Sequence, residues 1–235
     1  ILCGTSAGAI NAATLAVYAD NFDAAVSNLL EVWENMHVRV VYRADPLSVA
    51  KTGARWLAAM MLFSRSSPVS LLDNAPLGEM LSRNLDFGRI QQNIDDGRLY
   101  AVSITCSGYS SGQSVSFYQG GPGVVAWERS QRTGCAMPLR VEHLMASSAL
   151  PFIFPAVRLN REFFGDGTMR QIAPISPALH LGADRILVIG TGRQVNDTAR
   201  VRTQVYPTIA QIAGHALNSI FLDSLYVDIE RVQRI

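Results

Sequence analysis

Ile1-Leu2-Cys3-Gly4-Thr5-Ser6-Ala7-Gly8-Ala9-Ile10-Asn11-Ala12-Ala13 opens this 235-residue chain and decides its fold class. The first three residues are apolar and suit the end of a buried strand, while Ala7–Tyr18 suits a helix. Between them, Gly4-Thr5-Ser6-Ala7-Gly8 is a small-x-Ser-x-small turn, the pattern of a nucleophile elbow. Such a turn is tight enough that large side chains beside the serine would clash. Glycine at both flanks, Gly4 and Gly8, is expected to relieve that clash and to lift the Ser6 hydroxyl clear of the sheet. A five-residue pattern also arises in ordinary glycine-rich turns, so alone it suggests a serine hydrolase and no more.

Outward from the elbow, helical and extended patterns alternate. Phe22, Val26, Leu29, Leu30, Trp33 and Met36 recur at three- and four-residue steps, which predicts a helix over Phe22–Met36 with an apolar stripe. The β-branched Val38–Tyr42 reads as extended. Leu47–Phe63 reads as an apolar helix, either a core cover or a lid whose Met60-Met61-Leu62-Phe63 edge suits acyl chains. Short helices are expected over Pro76–Arg83, capped by Asp73 or Asn74, and over Asp86–Asp95, closed by Gly97. Leu99–Thr105 and Ser114–Tyr118 flank Ser110-Ser111-Gly112-Gln113 as a hairpin. Trp127 is expected in the core. Val141–Ala149 reads as a helix, Arg161–Phe164 as a short strand and Pro174–Leu181 as a helix ended by Gly182. Arg185–Gly190 has the continuous apolar run of a strand inside a parallel sheet, and Thr208–Val232 reads as a closing helix. With no repeat or linker, the chain reads as one α/β domain with a mainly parallel sheet.

Composition narrows the function. Twenty Lys+Arg against 19 Asp+Glu leave a formal charge of +1, which gives no electrostatic basis for binding nucleic acid. Cys3, Cys106 and Cys135 are an odd number without metal-like spacing, so reduced and mostly buried thiols are expected. No carboxylate or histidine cluster has ligand spacing, and no metal or other cofactor is expected. No window reaches the roughly 18 uninterrupted apolar residues of a membrane span. The expected location is cytoplasmic or peripheral to a membrane; because the chain does not start with Met, the native start is expected elsewhere and an export signal upstream of Ile1 is left open.

A serine hydroxyl needs a base to take its proton. Of the four histidines, His180 and His215 follow in the order a Ser-Asp-His triad requires, but both lie within predicted helices, where structural or capping roles are expected. His143 reads as a helix-surface residue. Asp166 differs: between Gly165 and Gly167, after a strand, the backbone can present its carboxylate into a cleft. An aspartate that merely bonds its own turn has the same local pattern. Upstream and downstream of it, Ala146-Ser147-Ser148-Ala149-Leu150-Pro151, Ala173-Pro174-Ile175 and Leu181-Gly182-Ala183-Asp184-Arg185 follow in a fixed order.

With these motifs the chain resembles the patatin-like phospholipases over most of its length. The resemblance implies a three-layer α/β/α sandwich and a Ser–Asp dyad without histidine. It places the nucleophile at Ser6, elbow and oxyanion support at Gly4, Ala7 and Gly8, and the dyad acid at Asp166 on the Gly165–Gly167 loop. It implies lipid acyl esters as substrates, cleaved through an acyl-enzyme as by a phospholipase A or lysophospholipase, with transient contact at a membrane surface. Two departures stand out. Thr168 follows Gly167 where the family pattern has glycine or alanine. The glycine-rich stretch that supplies the oxyanion hole has no match here, so either that segment precedes Ile1 or the chain is a degenerate relative. The expected unit is therefore a single domain over 1–235, cut before the oxyanion loop. A non-catalytic lipid- or protein-binding relative, or an acyltransferase using the same dyad, are the alternatives.

Overall fold

Two strands that meet end to end organise the fold. The structure is a computed structural model and describes residues 1–43, 70, 72–171, 173–190 and 208. β1 (Leu2–Thr5) feeds α1 (Ala7–Val17) through Ser6. After α2 (Phe22–Glu34), α3 (Val38–Val41), α4 (Ala75–Asn84) and α5 (Gly88–Asp95), the chain enters β2 (Ala101–Gly108). It returns along β3 (Ser114–Gly120), then forms β4 (Trp127–Arg129), β5 (Arg132–Ala136) and α6 (Val141–Ser147). β6 (Val157–Leu159), β7 (Glu162–Asp166), a 3₁₀ turn (Gly167–Arg170) and α7 (Ser176–His180) follow.

The seven strands form one sheet in the order β4-β5-β3-β2-β7-β6, with β1 also paired to β2. This sheet is mixed, not mainly parallel. β1–β2 and β3–β5 pair in parallel, whereas β2–β3, β2–β7, β4–β5 and β6–β7 are antiparallel. For β2–β3, β4–β5 and β6–β7 the cause is local, because short turns can only produce antiparallel neighbours; β7 comes back to β2 after β3–β6, and parallel pairs need a long crossover such as the α1–α5 run before β2. Two hairpins escape the sequence pattern because their two-residue turns are Ser130-Gln131 and Asn160-Arg161, not Asn-Gly. One residue of each turn, Gln131 (φ 61°) and Asn160 (φ 53°), has a positive φ without being glycine.

All eight residues of β2 are buried, so both faces of the strand are covered. Val102, Ile104 and Cys106 join the main core with Ala9, Ala13 and Val17 of α1, Leu81 of α4, Ile90 of α5 and Leu144 of α6. The alternate residues Ser103, Thr105 and Ser107 carry hydroxyls on the opposite face, as the period-two pleat dictates. The alanines of α1 keep its inner surface flat, which lets the helix lie close to the sheet and fixes the elbow at its N-terminus. Trp127 is buried in a smaller cluster with Ala101, Tyr118 and Leu181.

Several expectations are corrected. Val38–Val41 is a helical turn, begun by the Val40 N–H bond to the His37 carbonyl (2.8 Å), so local hydrogen bonding overrides β-branched propensity. The α2 stripe is not a buried face: Phe22, Leu30 and Trp33 are exposed, and Ala25 alone is buried on that helix. Arg185–Gly190 forms no strand, and Leu187 and Ile189 are 85% and 87% exposed. Apolar content favours extension, but only a ladder partner makes a strand, and none is found among the described residues. Cys3 and Cys135 are exposed, leaving Cys106 as the buried thiol. Most of the expected Leu47–Phe63 and Thr208–Val232 helices, with the lid edge and His215, lies outside the described residues.

Candidate active site

Register explains how residues 160 positions apart meet. β1 and β7 share one edge of β2 and run toward each other along it: Thr5 pairs with Thr105, and Asp166 pairs with Cys106. Consecutive partners on a strand are about 3.3 Å apart, so the last residue of each strand abuts the other. Both chains must then turn away. β1 turns into the elbow and β7 into the 3₁₀ turn, which leaves Ser6 and Asp166 side by side.

Ser6 holds φ 55° and ψ −126°, a conformation that non-glycine residues rarely adopt and that costs on the order of 1–3 kcal/mol. Two bonds hold it. Its N–H donates to Ser147 Oγ (2.9 Å), and that hydroxyl donates to the Thr105 carbonyl (2.7 Å). Ser147 on α6 thus ties the elbow to β2, a role that spacing alone could not reveal because its partner lies 141 positions away. The Ser6 hydroxyl donates to Asp166 Oδ2 at 2.7 Å.

Asp166 is completely buried, with 0% exposure. Its Oδ1 accepts from the Thr168 N–H (3.0 Å) and the Thr168 hydroxyl (2.7 Å), and its own N–H donates to the Ala149 carbonyl (2.9 Å). Burial pushes its carboxyl above the ordinary aspartate value; the Thr168 amide, the Ser6 hydroxyl and the Thr168 hydroxyl pull it partly back. A carboxylate so placed is a stronger base than a solvated one and stands within reach of the proton it would remove. Gln171 Nε2 donates to Thr5 Oγ1 (2.8 Å) and links the end of β1 to the residue after the 3₁₀ turn.

The glycines differ in what they do. A Cβ on Gly4 would strike the Gly8 carbonyl and the Ala9 Cα, and one on Gly167 would strike the Thr105 carbonyl. Gly165 lies under the Tyr109 ring. At Gly8 a Cβ would meet nothing within 4 Å, so the steric need expected at both flanks of the elbow exists at Gly4 alone. Gly4→Ala should therefore destabilise the protein by about 3 kcal/mol or more through overpacking against backbone. Gly8→Ala, within α1, should leave stability unchanged or raise it by up to about 1 kcal/mol. Urea unfolding midpoints of the two variants check this pair.

The histidines take no part at Ser6 among the described residues. His143 is buried, not on the helix surface: its Nδ1 accepts from the Arg140 N–H (3.0 Å) and its ring meets Phe117 edge-on. His180 stacks on Trp127 with centroids 5.0 Å apart. The Ala7 amide stands at the first helical position of α1, where no preceding turn supplies a carbonyl. Among the described residues, no group of three His, Cys, Asp or Glu side chains is placed to hold a metal ion, and no helix is long and apolar enough to cross a membrane.

No curated protein matches this chain. The family model described as patatin-like phospholipase matches residues 1–179, and the chain, with its strand–Ser6–helix turn facing Asp166, belongs to that family.

Proposed function

We propose that this chain is a serine acyl hydrolase that cleaves lipid ester bonds, of the phospholipase A or lysophospholipase type, through Ser6 and Asp166. The 2.7 Å hydrogen bond from Ser6 Oγ to Asp166 Oδ2, made by a serine held in a strained elbow, carries the proposal. As Ser6 Oγ attacks the ester carbonyl carbon, its O–H bond breaks and the proton passes to Oδ2. The developing oxyanion accepts from the Ala7 N–H and lies at the positive end of α1. Asp166 then gives the proton to the departing alkoxide, which leaves as an alcohol and yields an acyl-enzyme on Ser6. Water, deprotonated by the same carboxylate, attacks the acyl carbonyl and restores both groups.

Because Asp166 must start ionised, turnover is lost as pH falls through its raised pKa. The matched segment and residues 180–235 are read together as one acyl-hydrolase domain, an α/β/α sandwich, acting in the cytoplasm or at a membrane surface. A fluorophosphonate probe tests the assignment. Expected is stoichiometric labelling of the peptide containing Ser6, with parallel loss of p-nitrophenyl butyrate turnover. Turnover that survives full labelling would overturn it, and absence of both labelling and turnover would favour a binding protein instead.

A further inference from the structure

Asp166 Oδ1 is engaged twice by one residue. The Thr168 N–H bond to it is what any residue at this position would make, since it caps the 3₁₀ turn that begins at Gly167. The Thr168 hydroxyl adds a second bond at 2.7 Å, a length typical of a hydroxyl donating to a charged oxygen. The pattern that the chain resembles has glycine or alanine here and could not make it. Both donors take Oδ1, and the remaining oxygen, Oδ2, faces Ser6.

We propose that Thr168 is a positioning residue that ties down Asp166 Oδ1 and thereby reserves Oδ2 as the oxygen that receives the Ser6 proton. The inference rests on the proposed Ser6–Asp166 chemistry. When the Ser6 O–H bond breaks, the new O–H bond forms at Oδ2, and Oδ1 continues to accept from Thr168. Without the hydroxyl, Oδ1 holds one donor, the carboxylate loses a stabilising partner, and the proton can settle on either oxygen.

Among the described residues, the titratable groups facing this carboxylate are the Cys106 thiol on β2 and the Tyr109 phenol beyond the end of β2. Both are kept neutral by burial and by the charge of Asp166 itself. Ser6 at the head of α1 and Ser147 on α6 do not titrate in this range, and His143 on α6 is engaged by Arg140 and Met137. Among the described residues no arginine, lysine or histidine forms an ion pair with Asp166. Thr168 therefore has no cationic competitor among the described residues in setting when this group ionises.

The test compares Thr168→Val and Thr168→Ser with the parent chain in two ways. One is the pH profile of kcat/KM for p-nitrophenyl butyrate; the other is the titration of the Asp166 carboxyl carbon by ¹³C NMR, assigned with Asp166→Asn. Thr168→Val should lower kcat/KM by about tenfold at the acid end while leaving the alkaline plateau within about twofold, as expected for one lost hydrogen bond to a charged group. Its Asp166 carboxyl should titrate at higher pH, and Thr168→Ser should restore both curves. Identical curves in Thr168→Val and parent would overturn the proposal. If Thr168→Val does not fold by circular dichroism, Thr168→Ala takes its place. Failure of the underlying chemistry is separate: it would appear as Ser6→Ala or Asp166→Asn turning over ester at the parental rate, while the NMR titration still reports on Thr168.

Discussion

Ser6→Ala should reduce ester turnover to the uncatalysed background, a loss on the order of 10⁵–10⁶-fold. The substitution removes the oxygen that forms the bond to the acyl carbon, and no other described group stands ready to replace it. The Cys106 thiol is buried and pushed well above its ordinary value, so it holds no thiolate at neutral pH. Folding should survive. The Ser6 N–H bond to Ser147 is a backbone bond and remains in the variant, and Ala, like Ser, tolerates the elbow only because Gly4 leaves room. Circular dichroism and p-nitrophenyl butyrate hydrolysis, measured on the same preparation, check both halves of the expectation.

Asp166→Asn is expected to cost on the order of 10³–10⁴-fold in kcat, the contribution of a well-placed general base. Asparagine preserves the shape of the site: its carbonyl oxygen still accepts from Thr168 and its amide still faces Ser6, but it cannot take a proton. Stability should move the other way. The folded pKa of Asp166 lies above the unfolded value, so the folded state binds the proton more tightly. Stability contributed by this group is full below the unfolded pKa and falls as pH rises through the folded one. At neutral pH the protein carries the cost of a buried charge, and the asparagine variant should melt higher than the parent. Below the unfolded aspartate pKa that advantage should vanish. Thermal melts at neutral and acid pH read the difference.

Much of this site is legible in the sequence, and the reasons are physical. Gly4-Thr5-Ser6-Ala7-Gly8 encodes its own geometry, because a strand, a forced turn and a helix are all local. Gly165-Asp166-Gly167 is recognisable because glycine is needed where the chain passes over the Thr105 carbonyl. Ser147 leaves no such signature: it is one hydroxyl in a buried helix, and its importance depends on what the folded chain brings to it. Thr168 is visible only as a departure from a pattern, and its bond to Asp166 appears only in the folded turn. Arg185–Gly190 and α2 fail in the opposite sense. Hydropathy supplies the apolar run or stripe, but the partner that would bury it is a non-local fact. The antiparallel β4–β5 and β6–β7 pairs are hidden for a local reason, since their Ser130-Gln131 and Asn160-Arg161 turns lack the usual glycine, whereas the β2–β7 pair is non-local.

Trapping the acylated protein tests the proposed chemistry most directly. The parent chain and Asp166→Asn would be mixed with p-nitrophenyl butyrate, quenched in acid within the first turnover, digested and analysed by peptide mass spectrometry. The expected result is a butyryl group on Ser6 in the parent, formed with a stoichiometric burst of p-nitrophenolate, and neither adduct nor burst in Asp166→Asn. Sustained hydrolysis by the parent with Ser6 unmodified, or a burst undiminished in Asp166→Asn, would contradict a serine nucleophile activated by that carboxylate.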